Sequence, residues 1–277
     1  MSSKSNLSIS DHLLKGDGII PYLLEHTKGG EFQSSYPDSV IIHYTAGGSA
    51  ESSARHLRNK DVKASAHLVI GRAGEIYQIV PFNYQAWHAG KSKYGSRVGY
   101  NKFSIGIELD NAGVLTKAGT EYVSWFGKKY QQNDVLQARH RNEQDLKYWH
   151  LYTPEQIAAC ERVVKLLIEN YGIKEILGHE EIAPGRKQDP GPAFPLDRFR
   201  NRLLFEDRAD DETPLKGKNY KVTASQLNIR EGAGGQFKKV AQPLKKGSEV
   251  TILEEKDGWC KVKTTITGWV SKGHLDI

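Results

Sequence analysis

The chain has 277 residues and carries 39 Lys and Arg against 33 Asp and Glu, a formal net charge of +6 at pH 7. This length is long for one domain, so we expect two domains, each able to bury a core. Hydrophobic residues make up 38% of the chain and no apolar run is long enough to cross a bilayer, so we expect no membrane span.

The cysteine count and the charge distribution limit the kinds of metal site and binding partner that the chain can have. The two cysteines, Cys160 and Cys260, exclude a cysteine-based metal cluster, and their separation favours plain thiols over a disulfide. From residue 217 onward there are 11 Lys and Arg against 6 Asp and Glu, which leaves 28 against 27 for residues 1–216. The basic end suggests attraction to an anionic polymer or surface, although small basic domains are often simply soluble.

The first 37 residues show little periodicity beyond residues 19–24 and are interpreted as an N-terminal arm with a short structured piece. Residues 1–7 lack the continuous apolar core of a secretory signal. We therefore expect a chain that stays inside the cell, leaves it by another route or has been trimmed.

Two apolar runs predict interior strands, each with a chemically active side chain near its end. Residues 39–44 form a continuous apolar run around His43, and residues 103–109 form a second run around Glu108. Ser49 is a plausible N-cap for a helix of about a dozen residues after the first run.

A β-hairpin and a helix are predicted from local patterns. Residues 66–72 and 75–80, separated by an Ala-Gly turn, predict the hairpin. Thr153 as cap, with Pro and Gln after it, begins a helix whose apolar period ends at Gly172. Residues 174–177 predict a short strand, and residues 196–205 predict a closing helix.

The remaining segments suggest the domain boundaries. Residues from about 111 to 151 are polar and aromatic without a clear period, and we interpret them as an irregular insertion. Residues 207–216 form an acidic, proline-ended linker. After it, from 217 to 277, short strands alternate with glycine turns, which predicts a small all-β barrel.

A loop rich in glycine and proline, residues 178–192, carries His179, Lys187 and Asp189. Imidazole nitrogen and carboxylate oxygen are zinc ligands, and a catalytic zinc site has three protein ligands and one open position. His43 is the candidate for the third ligand. With Glu108 these residues match the parts of a zinc hydrolase, although each alone is more often a rim or turn residue.

Residues from about 38 to 204 resemble the zinc-dependent N-acetylmuramoyl-L-alanine amidases of the AmpD-like family, which are related to peptidoglycan recognition proteins. Five stretches carry the resemblance in order, namely residues 40–45, 65–70, 86–90, 104–109 and 178–194. The resemblance implies a mixed α/β domain over residues 38–206, with a central β-sheet flanked by helices. It also implies one Zn²⁺ per chain, bound by His43, His179 and Asp189.

The resemblance further implies a mechanism and a substrate. A zinc-activated water is the nucleophile, Glu108 accepts its proton, and the metal and Lys187 stabilise the oxyanion. The substrate is the amide between the lactyl group of N-acetylmuramic acid and L-alanine in peptidoglycan or a muropeptide.

Three further residues, Trp87, His88 and Arg186, are expected to contact the substrate. A structural, hydrogen-bonded role remains open for His88, and a solvated one for Arg186. For His67, inside a predicted strand, core packing is the better interpretation. Compact family members have a shorter connection where residues 111–151 stand here. We expect this insertion to wall the substrate groove, where it would help decide between polymeric glycan and released muropeptides.

The basic end resembles a bacterial SH3-type domain in residues 227–232 and 268–270. Such domains usually bind cell wall, so we expect residues 217–277 to bind its anionic surface, the alternative being a packing module that binds nothing. Wall binding favours the cell envelope, the periplasm or secretion, whereas the missing signal favours the cytoplasm.

The sequence supports two other functions less well than hydrolysis. A non-catalytic peptidoglycan recognition protein would keep the fold and lose a metal ligand, but all three ligands are present. Nucleic-acid binding rests on charge alone, without any motif, and no nucleic-acid partner is expected.

Overall fold

The computed structural model describes residues 7–25, 29–205, 217–222, 224, 226–233, 237–256, 259–265 and 267. The chain divides into two compact units, residues 1–209 and residues 210–277. The predicted linker and the predicted closing strand at residues 268–270 lie outside the described residues. None of the described helices has both the length and the apolar character required to cross a bilayer.

The first unit alternates strands with a few helices. Its strands are β1 (Ser8–Ser10), β2 (Leu13–Lys15), β3 (Ile19–Pro21), β4 (Ser39–Tyr44), β5 (Leu68–Ile70), β6 (Ile76–Gln78), β7 (Lys93–Tyr94), β8 (Arg97–Val98), β9 (Ser104–Leu109), β10 (Val114–Ala118), β11 (Glu121–Val123), β12 (Lys129–Tyr130), β13 (Val135–Arg139), β14 (Leu146–His150) and β15 (Glu175–Gly178). Its helices are α1 (Ala50–Arg58), α2 (Pro154–Tyr171), α3 (His179–Ile182) and α4 (Leu196–Phe205), with 3-10 turns at Tyr100–Lys102 and Gln132–Asp134.

A six-stranded sheet in the order β15-β4-β9-β5-β6-β3 forms the centre of the first unit. The strands β15, β4, β9 and β5 run parallel to one another, so their carboxyl ends meet at one edge. The predicted hairpin is confirmed as the antiparallel pair β5 and β6. Strand β3, from the predicted N-terminal arm, pairs in parallel with β6. The arm therefore supplies the outer strand of the central sheet, and its strands β1 and β2 form a separate two-stranded sheet.

Helix α2 packs the main core against this sheet, and its predicted ends are confirmed. The hydroxyl of Thr153 accepts from the N–H of Gln156, and Gly172 ends the helix in the left-handed region at φ 66°. Its buried stripe of Ala159, Cys160, Val163, Val164 and Leu167 joins apolar side chains of β4, β5 and β9. The side chain of Gln156 does not return to the cap, because it donates to the carbonyls of Ile70 and Asp110 at strand ends.

Helix α1 is shorter than expected. Ser49 caps it as predicted, with its hydroxyl accepting from the N–H of Ser52 at 3.2 Å. The helix has nine residues instead of about a dozen, because the backbone becomes extended at Asn59.

The interpretation of residues 111–151 as irregular was wrong. They form a five-stranded antiparallel sheet in the order β12-β11-β10-β14-β13. Its strands have only two to five residues, too short to show a period of two against the polar side chains of the solvated face. The other face buries a small core of Ala112, Leu115, Tyr122 and Tyr130.

The described residues of the second unit form five strands, in agreement with the predicted all-β class. They are β16 (Asn219–Lys221), β17 (Gln226–Leu227), β18 (Leu244–Lys245), β19 (Glu249–Lys256) and β20 (Trp259–Lys263). Antiparallel pairing joins β16, β19 and β20 in one sheet and β17 and β18 in another.

Candidate active site

Two histidines and one aspartate meet at the carboxyl edge of the central sheet. His43 lies near the end of β4, and His179 directly follows the parallel neighbour β15. The Nδ1 atoms of the two histidines are 2.9 Å apart, and Oδ2 of Asp189 lies 2.8 Å from that of His43 and 2.9 Å from that of His179. The three residues are 1%, 3% and 6% exposed, in the order His43, His179, Asp189. Residues far apart in the sequence thus place three ligand atoms around one buried point.

Close backbone packing holds the loop that carries Asp189. The N–H of Glu180 donates to the carbonyl of Asp189 at 2.8 Å. A Cβ added to Gly178 would lie 2.8 Å from Cδ of Pro190, so only glycine lets the loop approach β15 this closely. The glycine before His179 therefore brings Asp189 to the histidines.

Burial and neighbouring groups set different protonation states for His43 and Asp189. Burial, and then the neighbouring His179, lower the pKa of His43 to about 4, so His43 is neutral at pH 7. Burial raises the pKa of Asp189, but its close contacts with His179 and His43 outweigh it and hold this pKa below its ordinary value. The cluster thus offers a neutral imidazole and an ionised carboxylate, the protonation states that bind metal.

The donor set fits zinc. His43, His179 and Asp189 are the group of described residues whose ligand atoms lie close enough together to hold a metal ion. Two imidazoles and a carboxylate are ligand types that zinc accepts, and three protein ligands leave the fourth tetrahedral position for substrate or water.

A cavity of about 610 Å³ opens over the cluster, and the eight residues assigned to metal, catalysis or substrate from the sequence line it. His43, Trp87, His88, Glu108, His179, Arg186, Lys187 and Asp189 all line it. The sequence therefore predicted which residues assemble here; the roles assigned to them remain predictions.

Glu108 is unusual because its Oε2 atom is buried without a hydrogen-bond partner in the described part of the chain. Burial raises the pKa of Glu108 well above its ordinary value, and the charge of Asp189 adds to the rise, whereas Lys187 opposes it. A buried polar atom without a partner is costly in a folded protein. At the wall of a cavity it is suited to accept a proton from a bound molecule.

The predicted substrate-contact residues differ in what they touch. Trp87 is 43% exposed, so its indole is open to the cavity. One terminal nitrogen of Arg186 donates to the carbonyls of Ala89 at 2.8 Å and Lys91 at 2.6 Å. His88 hydrogen bonds to His43, with 2.9 Å between its Nδ1 and Nε2 of His43.

His67 is a core residue, as predicted. It is fully buried, its ring stacks with Phe82 and Phe32, and its Nε2 lies 2.8 Å from the carbonyl of Tyr84. Its Nδ1 accepts from the N–H of Gly106 at 3.0 Å. Because both ring nitrogens are engaged, packing and hydrogen bonding account for this histidine.

The insertion was expected to wall the groove, but sequence reasoning did not identify which of its residues do so. His140, Asn142 and Glu143, just beyond β13, line the cavity. Buried Glu180, next to the candidate ligand His179, contacts this segment. Nε2 of His140 donates to its carboxylate at 2.6 Å, and Nε of Arg141 lies 2.9 Å from its other carboxylate oxygen.

The same Glu180 carboxylate also accepts from the N–H of Gly191 at 3.1 Å. Glu180 thus links the inserted sheet to the loop that carries Asp189. The only local signal for this link was an acidic residue next to His179.

Two family models match the chain. The model described as N-acetylmuramoyl-L-alanine amidase matches residues 33–192, and the model described as bacterial SH3 domain matches residues 225–276.

Individual relatives match over part of their length. The 1,6-anhydro-N-acetylmuramyl-L-alanine amidase AmpD of Escherichia coli K12 is 40% identical over 141 residues, covering 50% of this chain and 58% of that protein. The N-acetylmuramoyl-L-alanine amidase AmiD of the same strain is 34% identical over 174 residues, covering 59% of this chain and 52% of that protein. The chain thus spans little more than half the length of these relatives.

One solved structure, E. coli AmiD in complex with anhydro-N-acetylmuramic acid-L-Ala-D-gamma-Glu-L-Lys, is similar over 70% of this chain and 64% of that chain. The identity is 28% and the TM-score is 0.44.

Proposed function

The chain belongs to the N-acetylmuramoyl-L-alanine amidase family, and from this premise we propose that it hydrolyses the amide between the lactyl group of N-acetylmuramic acid and L-alanine in peptidoglycan stem peptides. The observation that carries the proposal is the convergence of His43, His179 and Asp189 in a cavity that also holds Glu108. The names of the AmpD and AmiD relatives, both amidases at this kind of bond, support the substrate class.

We propose that His43, His179 and Asp189 bind one Zn²⁺. Bound zinc would polarise the substrate carbonyl and lower the pKa of water enough to supply a nucleophile at neutral pH. The chain's own contribution is to hold the three ligand atoms together and to keep them buried.

Glu108 is assigned the proton-transfer role. Glu108 lines the cavity and its Oε2 has no hydrogen-bond partner among the described residues, and its raised pKa brings the carboxyl closer to the pH at which a base gains and releases protons efficiently. In the forward reaction Glu108 accepts the proton of the attacking water and then delivers it to the departing L-alanine amine.

Lys187 is assigned to the developing negative charge. It lines the same cavity two residues before Asp189, on a loop whose backbone is held by the bond from its N–H to the carbonyl of Ala183 at 3.0 Å. An ammonium group placed in advance stabilises the oxyanion of the tetrahedral intermediate without reorganisation.

The cavity walls are assigned to substrate positioning. Exposed Trp87 offers an apolar face, Arg186 offers guanidinium hydrogens beyond those bonded to Ala89 and Lys91, and His88 offers only ring surface because both its nitrogens are engaged. His140, Asn142 and Glu143 of the inserted segment also line the cavity and shape the space available to the sugar and peptide.

We propose that the SH3-type unit binds the anionic cell-wall surface and that the protein acts in the cell envelope or outside the cell. The basic charge of residues 217–277 and the bacterial SH3 match support this role, because tethering raises the enzyme concentration at its polymer. Pelleting of the whole chain and of residues 1–216 with purified wall tests it. Equal pelleting of both would contradict it, and cell fractionation tests the location.

The direct test of the proposed activity is release of stem peptides from purified sacculi by the zinc-loaded chain. Peptides with a free L-alanine amine should be released. Their release should stop when a chelator is added and resume when Zn²⁺ is restored. Asp189→Ala should abolish release, whereas Asp17→Ala, which changes an exposed carboxylate outside the cavity, should not. Binding of sacculi by the zinc-loaded chain without any release would instead indicate the non-catalytic recognition protein.

A further inference from the structure

The outer nitrogens of both candidate histidine ligands contact one dipeptide, His88-Ala89. Nε2 of His43 lies 2.9 Å from Nδ1 of His88, and Nε2 of His179 lies 3.1 Å from the carbonyl of Ala89. Whether each histidine offers a lone pair or a hydrogen to the metal depends on which of its nitrogens is protonated. The partners of the outer nitrogens therefore decide this for both ligands.

Hydrogen-bond counting settles the His43 side. The hydroxyl of Ser104 donates its single hydrogen to the carbonyl of Tyr100 at 2.6 Å. Nε2 of His88 lies 3.2 Å from both that hydroxyl oxygen and the carbonyl of Ser104, and two acceptors require it to carry the hydrogen. Nδ1 of the neutral His88 ring is then an acceptor. Nε2 of His43 must donate to it, which leaves Nδ1 of His43 with a free lone pair.

Hydrogen-bond counting settles the His179 side as well. The Arg186 nitrogen near Nε2 of His179, at 3.4 Å, has two hydrogens, and shorter bonds to the carbonyls of Ala89 and Lys91 use both. Nε2 of His179 therefore donates to the carbonyl of Ala89. Its Nδ1 also keeps a free lone pair, directed at Asp189.

The position of the dipeptide is fixed by hydrogen bonds to Asn101 and by packing against Gly106. Oδ1 of Asn101 accepts from the N–H of His88 at 3.1 Å and from that of Ala89 at 2.7 Å. The ring of His88 lies over Gly106, where an added Cβ would come within 2.3 Å of its Cγ. Strand β9 thus keeps a glycine at the position where the imidazole packs.

We propose that His88-Ala89, held by Asn101 and seated on Gly106, is the positioning element that fixes both histidine ligands as Nε2–H tautomers with their Nδ1 lone pairs directed at the metal. This inference rests on the proposed metal site. It gives His88 a role through His43 rather than a polar contact with substrate. Partners that orient ligating histidines typically change metal affinity by about 10–100-fold when removed.

Zinc affinity, measured by competition with a chromophoric chelator, tests the proposal in the full chain. His88→Ala should weaken zinc binding by about 10–100-fold. His88→Asn places an amide oxygen where Nδ1 was, so it should restore most of that affinity. As a matched control, His12→Asn removes an exposed imidazole that contacts Tyr171 outside the cavity, and it should leave zinc affinity unchanged.

Cobalt substitution adds a spectroscopic readout. The visible absorption of the Co²⁺-loaded chain should shift in His88→Ala and return toward the wild-type spectrum in His88→Asn. Equal zinc affinity and equal Co²⁺ spectra in wild type and His88→Ala would overturn the proposal. If the wild-type chain itself binds no zinc, the proposed function fails instead, so the two failures are distinguishable.

A measurement on the unaltered, zinc-loaded chain covers the case in which the variants do not fold. Nitrogen-15 spectra of the histidine rings at pH 7 should show hydrogen on Nε2 of His43, His88 and His179. Hydrogen on Nδ1 of His43 or His179 would overturn the proposal without any substitution.

Discussion

His43 and Glu108 are register partners on the neighbouring parallel strands β4 and β9. In a parallel pair, partner residues leave the sheet on the same face, so a candidate metal ligand and the unpaired carboxylate enter one cavity. The carboxyl edge of parallel strands is where ligands of α/β folds usually bind. The sheet register therefore places a candidate metal ligand beside the proposed proton acceptor, while the segment after β15 supplies the other candidate ligands.

The first prediction concerns that carboxylate. Glu108→Gln keeps the shape of the side chain and removes its ability to accept a proton, so kcat/KM should fall by about a hundred- to ten-thousand-fold. Zinc content should stay the same, because Glu108 is not in the ligand cluster. Kinetics on a soluble muropeptide and metal analysis measure the two effects. Glu51→Gln, at an exposed position on α1, is the control, and wild-type rates in Glu108→Gln would remove the assignment.

The second prediction separates charge from binding at Lys187. Lys187→Met keeps the length of the side chain and removes the ammonium charge, so kcat should fall by about a hundred- to a thousandfold. KM should change little if the charge acts mainly on the oxyanion. Steady-state kinetics distinguish the two parameters, with exposed Lys93→Met as control. A rise in KM at constant kcat would show that Lys187 binds the ground state instead.

The main features of the fold followed from the sequence where a local pattern repeats. The apolar run around His43 and the capped, periodic helix after Thr153 each carry several agreeing signals, and the structure has both. The inserted sheet was missed because its short strands are stabilised by pairing partners that a local pattern does not identify.

The candidate site was likewise predicted only in part from the sequence. The residue types near strand ends and in the loop identified eight of the residues that line the cavity. Their supporting contacts were not predictable, because each joins distant segments. Glu180 meets His140 across forty positions, and Asn101 holds a dipeptide twelve positions earlier. Tertiary packing alone brings such pairs together.

The third prediction tests how the inserted sheet braces the loop of Asp189. Gly191 has φ 71°, and an added Cβ would lie 2.8 Å from the ring of Trp149 on β14. Gly191→Ala should therefore combine backbone strain of about 1 kcal/mol with overpacking of about 1–3 kcal/mol. Gly185→Ala is the matched control, because it has φ 75° on the same loop with no atom within 4 Å of the added Cβ. Urea unfolding of both variants gives the difference in their free energies of unfolding. Equal losses would show that the Trp149 ring moves aside at no cost.

The last prediction uses His67, which packs in the core away from the ligand cluster. Burial lowers its pKa to about 4, against an ordinary value of 6.5. Between pH 6.5 and pH 4 the unfolded chain therefore binds a proton that the folded chain does not. The contribution of His67 to stability is full above pH 6.5 and is lost as the pH falls toward 4, which amounts to about 2 kcal/mol between pH 7.5 and pH 5.

Other buried groups add to the pH dependence, including Glu108, whose pKa burial raises, so its contribution to stability changes with pH in the opposite direction. The difference between the wild-type chain and His67→Gln isolates the effect. Urea unfolding with chelator present should show that His67→Gln loses most stability at pH 7.5 and that the gap narrows toward pH 5. A gap that stays constant with pH would mean that the His67 ring gains its proton in the folded chain as readily as in water, which its burial between Phe82 and Phe32 opposes.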